Sequence, residues 1–320
     1  MLSRRFLRIK VLQSLYAFHQ EGSGNVAAAE RSLFKSLDKL YELYIYQLSL
    51  IVAIVEFARQ RMEENKQKFL PTADDLDPNM RFLQNQLINK LEINRQLNRL
   101  TDEYHIYWKD EEDLIRKLYN KLRESEEFIN YMSSEENTFA RDKYIVSKVL
   151  LSIISESELL RFYLEEKFIY WNEDFDLSIM MVDKTLASIK ERNDEFTLLP
   201  TLLKDESRDG GSEDKEFIKA LFRKTIVNDK EFEKLVDEQT ENWEKERIAL
   251  MDMLLLKMAL AELTEIASIP VKVTLNEYIE LSKEYSTPRS KIFVNGILDK
   301  LINKLKQSGQ IKKVGRGLME

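Results

Sequence analysis

The residues with the most chemical potential stand at the start of the chain. Arg4, Arg5, Arg8 and Lys10 fall within its first ten positions, and Gln13 and Tyr16 follow on the same predicted helix. Cations at a helix N-terminus oppose the macrodipole, so they do not serve the helix itself. At 100° per residue Arg5 and Tyr16, eleven residues apart, are nearly eclipsed, with Gln13 flanking them. A cationic polar stripe with one aromatic suits phosphate contact and base stacking. Arg8 instead falls near Leu12 and Leu15, where its stem can pack against the core while its head pairs with an acid. The competing reading of the group is an ordinary solvated basic face.

Little else in the chain suggests catalysis. The two histidines, His19 and His105, are far apart and in dissimilar contexts. The absence of cysteine removes disulfides, zinc thiolate sites and thiol chemistry together. No P-loop, dinucleotide glycine motif, HExxH or hydrolase elbow occurs. Acidic pairs such as Glu111-Glu112 and Glu135-Glu136 read as solvated helix faces. The expectation is a protein without enzymatic activity, metal or cofactor. The formal net charge of -7 excludes a wholly basic nucleic-acid binder but leaves room for a local basic patch.

The elements that must position these residues are helices. A chain of 320 residues, 43% hydrophobic, can bury a sizeable core, and its 8 glycines and 5 prolines interrupt it rarely. The first helix is expected from about Ser3, as N-cap, to Phe18, with Gly22 ending it. A long second helix follows from Val26 to about Lys68. Its apolar stretch Leu43 to Phe57 contains Tyr44, Gln47, Ser49 and Glu56, which predicts burial rather than a membrane span. No apolar signal core follows the basic N-terminus, so a cytoplasmic location is expected. A loop at residues 70–78 precedes further helices that run to about Arg192, and Lys204 to Glu213 reads as a linker. Beyond it, Phe217, Leu221, Phe232, Leu235 and Val236 trace one or two helices. Ile248, Met251, Leu255, Met258, Ala259, Glu262 and Ile266 trace the next, which Pro270 stops. Thr274-Leu275-Asn276-Glu277 reads as a capping box opening another helix. Ser286-Thr287-Pro288 opens the last, whose buried stripe is expected to be Ile292, Phe293, Ile297 and Leu301, with Gly296 admitting a close neighbour. At an offset of 72 residues, Asp142-Lys143 falls on Asp214-Lys215 and Ile145, Val146 and Leu150 fall on Phe217, Ile218 and Phe222. This points either to an internal duplication or to chance likeness of amphipathic helices.

Three segments resemble one family. Arg4 to Tyr16 is similar to the opening helix of the NusB family of transcription antitermination factors, whose pattern is roughly RRxARExAxQxLY. Ile269-Pro270-Val271-Lys272-Val273-Thr274-Leu275-Asn276-Glu277, then Ile279-Glu280-Leu281 and Phe293 to Asp299, is similar to the family's closing IPxKVxxNExxEL…FVNGVLD. Between them Trp243, Arg247, Asp252 and Glu262-Leu263 fit its WxxxRxxxxDxxxLRxAxxEL segment. The resemblance covers residues 1–37 and 213–306. It leaves 38–212 as a helical insertion, the candidate degenerate duplicate, and 307–320 as a basic C-terminal tail.

The resemblance implies an all-α, NusB-like helical bundle enlarged by that insertion. It implies a non-enzymatic factor that binds single-stranded boxA-type RNA of nascent ribosomal-RNA transcripts. The implied partners are NusE, a ribosomal protein, and the antitermination complex on RNA polymerase, with no membrane. It makes Arg4, Arg5, Arg8, Gln13, Tyr16 and Lys272 the candidate RNA-contact residues and Asp252 the candidate partner-contact residue. Asn276, Glu277, Asn295 and Gly296 are expected to be structural. Leu7 and Ile9 replace the family's Ala and Glu, and Lys257 replaces an Arg. The alternative function is an RNA-binding or scaffold module related to the N-terminal domain of ribosomal-RNA cytosine methyltransferases. A full enzyme of that type would need a Gly-rich cofactor loop and a catalytic cysteine, and neither is present.

Overall fold

With few glycines and prolines to stop it, the chain folds as a succession of helices. The computed structural model describes residues 2–22, 24–168, 171–204, 212–240 and 248–318, and no strand occurs among them. Trp243, Arg247 and the centre of the expected linker at Asp209-Gly210-Gly211 lie outside the described residues. The helices are α1 (Arg4–Glu21), α2 (Val26–Lys66), α3 (Ala73–Leu76), α4 (Gln86–Glu92), α5 (Arg95–Glu103), α6 (Glu112–Glu124), α7 (Glu126–Ser133) and α8 (Phe139–Tyr144). They continue with α9 (Leu151–Ser155), α10 (Glu158–Lys167), α11 (Trp171–Ser188), α12 (Glu213–Val227), α13 (Asp229–Asp237), α14 (Leu250–Glu265), α15 (Val271–Tyr285) and α16 (Ser290–Gln307). A π-helical turn, Ile145–Leu150, makes α8 and α9 one run.

Two compact units emerge, residues 1–37 with 201–320 and residues 38–200. In the first, α14 is the axis. Every residue from Leu254 to Leu263 is buried, as expected of a helix apolar on all sides. Helices α1, α12, α13, α15 and α16 pack on it. Helix α1 starts after Ser3, whose side chain makes no capping bond, and ends at Gly22 in the left-handed region (φ 60°).

In the second unit α2 supplies the core with Leu40, Leu43, Tyr44, Leu48, Ile51, Ile54 and Val55. Tyr44 shares a 2.9 Å hydrogen bond with Thr185, and Trp108 Nε1 donates to Ser49 Oγ at 2.9 Å. By length and composition α2 could cross a membrane, but 67% of its apolar window is buried inside the protein. Within the loop expected at 70–78, Thr72 and Asp75 form a capping box that starts the single turn of α3. At the offset of 72, α8–α9 falls on α12, while α10 and α11 overlap α13 and α14. Asp142 and Asp214 are both buried, and each accepts a backbone N–H at 2.8 Å, from Gln86 and Lys204 respectively.

The closing helices differ from expectation in three places. Thr274 caps nothing, because α15 already begins at Val271 behind Pro270, which places Thr274 inside the helix and fully buried. Ile292 is 71% exposed, and the buried stripe of α16 is Val294, Ile297, Leu298, Leu301, Ile302 and Leu305. Gly296 has no close neighbour, since a Cβ there would meet nothing within 4 Å. Its conformation is helical and its surroundings are open, so it contributes only the entropic cost of glycine in a helix interior. Gly296→Ala is therefore expected to stabilise the protein by about 0.5–1 kcal/mol. Urea titration followed by circular dichroism should show a higher midpoint with an unchanged slope.

Candidate nucleic-acid interface

The arginines of α1 have acids waiting for them. Arg4 Nη2 lies 2.7 Å from Glu213 and its Nε 3.0 Å from Asp214, both in the first turn of α12, and its guanidinium stacks 4.4 Å from the Phe217 ring centroid. Arg5 is bidentate on Glu277 of α15, with Nε and Nη2 donating at 3.1 and 3.0 Å. Arg8 is bidentate on Glu262 of α14 at 2.7 Å for both bonds, and its Nη1 lies 3.5 Å from Glu277. These are the partners that let α1 carry cations against its own dipole.

Glu262 is the centre of the arrangement. It is fully buried, and besides the two bonds from Arg8 it accepts from Thr274 Oγ1 at 2.8 Å and Tyr278 OH at 3.3 Å. An ionised carboxylate offers about four acceptor positions, and these four bonds fill them. Burial opposes the charge on Arg8, but hydrogen bonding and attraction to Glu262 outweigh it and raise its pKa above the ordinary arginine value. The hydrogen bond to Glu277 also raises Arg5. Burial, reinforced by the Glu262 charge, keeps the Tyr278 phenol protonated.

The sequence-derived candidates thus divide. Arg8, at 2% exposure with its guanidinium spent on carboxylates, is a core residue and does not face RNA. This corrects its place among the contact candidates and matches the expectation that it pairs with an acid. Arg4 and Arg5 are partly exposed but paired, Gln13 is partly exposed, and Tyr16 is 40% exposed. Lys272 is exposed in the first turn of α15. Lys10, basic in sequence, is buried. The replaced residues Leu7 and Ile9 are buried as well, and Lys257, standing for the family's arginine, bridges Asp229 at 2.7 Å and Glu233 at 3.0 Å.

Asp252 lies elsewhere in the first unit, buried at the edge of an open cavity of about 590 Å³ that Phe293, Gly296 and Ile297 also line. Its Oδ2 accepts from Ser290 Oγ at 2.8 Å, while its Oδ1 is buried without a hydrogen bond. Asn276 is exposed and plays no part in a cap. Among the described residues no group of three or more His, Asp or Glu side chains could hold a metal ion.

Sequence reasoning missed Glu262, Thr274 and Tyr278 as one polar cluster. The signal was present: a carboxylate in an otherwise apolar stripe, and a threonine, a glutamate and a tyrosine at i, i+3 and i+4, which share a helix face.

Part of this helical scaffold is similar to one family of known proteins. The NusB family model matches residues 177–303, which takes in α14 and α15 and leaves α1 outside. The transcription antitermination protein NusB of Salinibacter ruber is 42% identical over 105 residues, 33% of this chain and 66% of that protein. That of Chloroherpeton thalassium is 40% identical over 33% of this chain and 50% of that protein. That of Geobacter sulfurreducens is 35% identical over 36% of this chain and 83% of that protein. The match spans between half and two thirds of the first two relatives. No solved structure matches the chain. The chain belongs to the NusB family.

The cluster predicts a characteristic pattern of mutational effects. Glu262→Leu or Arg8→Met leaves an uncompensated charge in the core, and each should destabilise by about 3–5 kcal/mol. The double change Arg8→Met with Glu262→Leu removes both charges and should cost distinctly less than the two single losses added together. Equilibrium unfolding of all three variants measures this, and strictly additive losses would contradict the coupling.

Proposed function

We propose that this protein is an RNA-binding transcription antitermination factor that acts on boxA-type elements of nascent ribosomal-RNA transcripts. It does so together with NusE, within the antitermination complex on RNA polymerase. The observation that carries the reading is the family match at residues 177–303, joined to relatives that are named transcription antitermination proteins. The exposed edge of α1 supports it further.

In this reading Tyr16 offers a ring for a base to stack on, and Gln13 offers donors and an acceptor beside it. Arg5 can exchange Glu277 for a phosphate, because Glu277 still has Arg8 Nη1 within 3.5 Å. Arg4 lies at the border of this face, and Lys272 adds a cation from α15. Arg8 acts from behind by fixing the rotation of α1. Asp252, with an unbonded oxygen beside an open cavity, is assigned to a protein partner.

Tyr16→Ala removes a stacking platform without disturbing any ion pair and should cost about 1–3 kcal/mol of affinity for a boxA-type single-stranded RNA. Fluorescence anisotropy at physiological salt measures this, with circular dichroism as the check on folding. An affinity equal to that of the unaltered protein would remove α1 from the RNA face.

A further inference from the structure

The family match stops at residue 303, yet the described chain continues to Leu318. From Lys300 to Leu318 the sequence holds six cations, Lys300, Lys304, Lys306, Lys312, Lys313 and Arg316, and no acid, in a protein whose net charge is -7. This segment does not trail away from the fold. Gly309, at φ +67°, reverses the chain after α16, and Gln310 N–H donates back to the Leu305 carbonyl at 3.0 Å. The chain then crosses the end of α14. Lys313 Nζ donates to the carbonyls of Glu262 and Ile266 at 3.0 and 2.9 Å, at the C-terminal end of α14, where a cation suits the helix dipole. Val314 N–H donates to the Ala267 carbonyl at 3.0 Å. Gly317 is buried so close to that carbonyl that a Cβ would sit 2.0 Å from its oxygen. Burial pushes the Lys313 amine down to about 8.

These tethers sort the segment by direction. Lys313 and Gly317 point inward, while Lys312 and Arg316 are exposed. The turn they fasten to runs through Ala267 to Pro270 and delivers the exposed Lys272. Among the described residues none of Lys272, Lys312 and Arg316 has an ion-pair partner, in contrast to the arginines of α1. Cations held in place lose less entropy when they meet a phosphate than cations on a loose tail, and the strap holds these.

We propose that residues 310–318 form a docked strap that extends the RNA-binding face, presenting Lys312 and Arg316 alongside Lys272 to the phosphate backbone of single-stranded RNA. The proposal rests on the RNA-binding reading above. Phosphate contacts position a strand without reading it, so the strap should strengthen binding to cognate and scrambled RNA alike.

The test uses the full chain, labelled boxA-type and scrambled single-stranded RNAs, and a salt series. Lys312→Glu with Arg316→Glu should weaken both RNAs by about tenfold at physiological salt. It should also flatten the slope of log affinity against log salt by about 1.4, at 0.7 per lost contact. Gly317→Val leaves every charge in place but cannot dock, and should give a comparable loss. If the charge variant loses affinity while Gly317→Val does not, the cations act from a loose tail and the docked strap is overturned. If Tyr16→Ala weakens binding while both strap variants leave affinity and slope unchanged, the strap falls and the α1 face stands. If only binding to poly-glutamate weakens in the charge variant, the strap serves an acidic protein instead, which also overturns the proposal. No RNA binding by the unaltered protein would overturn the underlying reading itself.

Discussion

The burial of one carboxylate organises the first unit. Glu262 sits at zero exposure, and burying such a charge costs several kcal/mol unless its acceptor positions are filled. Only Arg8, 254 residues away in sequence, and Thr274 and Tyr278 of α15 supply the bonds. The unit therefore closes only when α1, α14 and α15 meet in one register. A hydrophobic core of the same size would tolerate a rotated α1, whereas a bidentate pair at 2.7 Å does not. With Arg8 pointing inward, Arg5 and Tyr16 fall roughly 60–80° around the helix from it, at the border between core and solvent. The exposed edge of α1 is thus set by the buried pair behind it.

The same residue is held from a second direction. While its side chain binds α1 and α15, its main-chain carbonyl accepts from Lys313 of the C-terminal strap. The end of α14 has no glycine or side-chain cap, and the Lys313 amine serves that purpose by bonding two carbonyls. Lysine is costly to bury, which is the physical sense of its depressed pKa, and the carbonyl pair at a helix C-terminus is one of the few places where that cost is offset.

Much of this was legible in the sequence wherever periodicity decides. Helix α1 with Gly22 beyond it follows from spacing of three and four, and the buried stretches of α2 and α14 follow from their apolar composition. What was not legible turned on partners far away in the chain. Thr274 and Glu277 have the residue types and spacing of a capping box, but the same two types also serve a buried ion cluster. Only the arrival of Glu262 and Arg5 decides between the two. Gly296 in a helix suggests a close neighbour, and its open surroundings could not be read from its own element. The strap was hidden for the opposite reason: a short polar basic segment has no periodicity, and its order comes from three contacts to a distant turn.

The charge distribution separates what looks basic from what is available. In sequence α1 is the basic element, yet Glu213, Asp214, Glu262 and Glu277 neutralise its three arginines. An ion pair already made must be broken before a phosphate can use it, so these arginines contribute mainly framework. Lys272, Lys312 and Arg316 have no such partner among the described residues and lie on or beside the turn after α14, and the chain from Lys300 to Leu318 carries no acid of its own. In a protein of net charge -7, that is the arrangement a local phosphate-binding patch requires: its positive charges must be kept away from the acids that dominate elsewhere. On this reading the two tasks of RNA recognition fall to different ends of the chain. Stacking belongs to Tyr16 on the first helix and backbone attraction to the last residues, and the buried Arg8–Glu262 pair brings both ends onto the same scaffold.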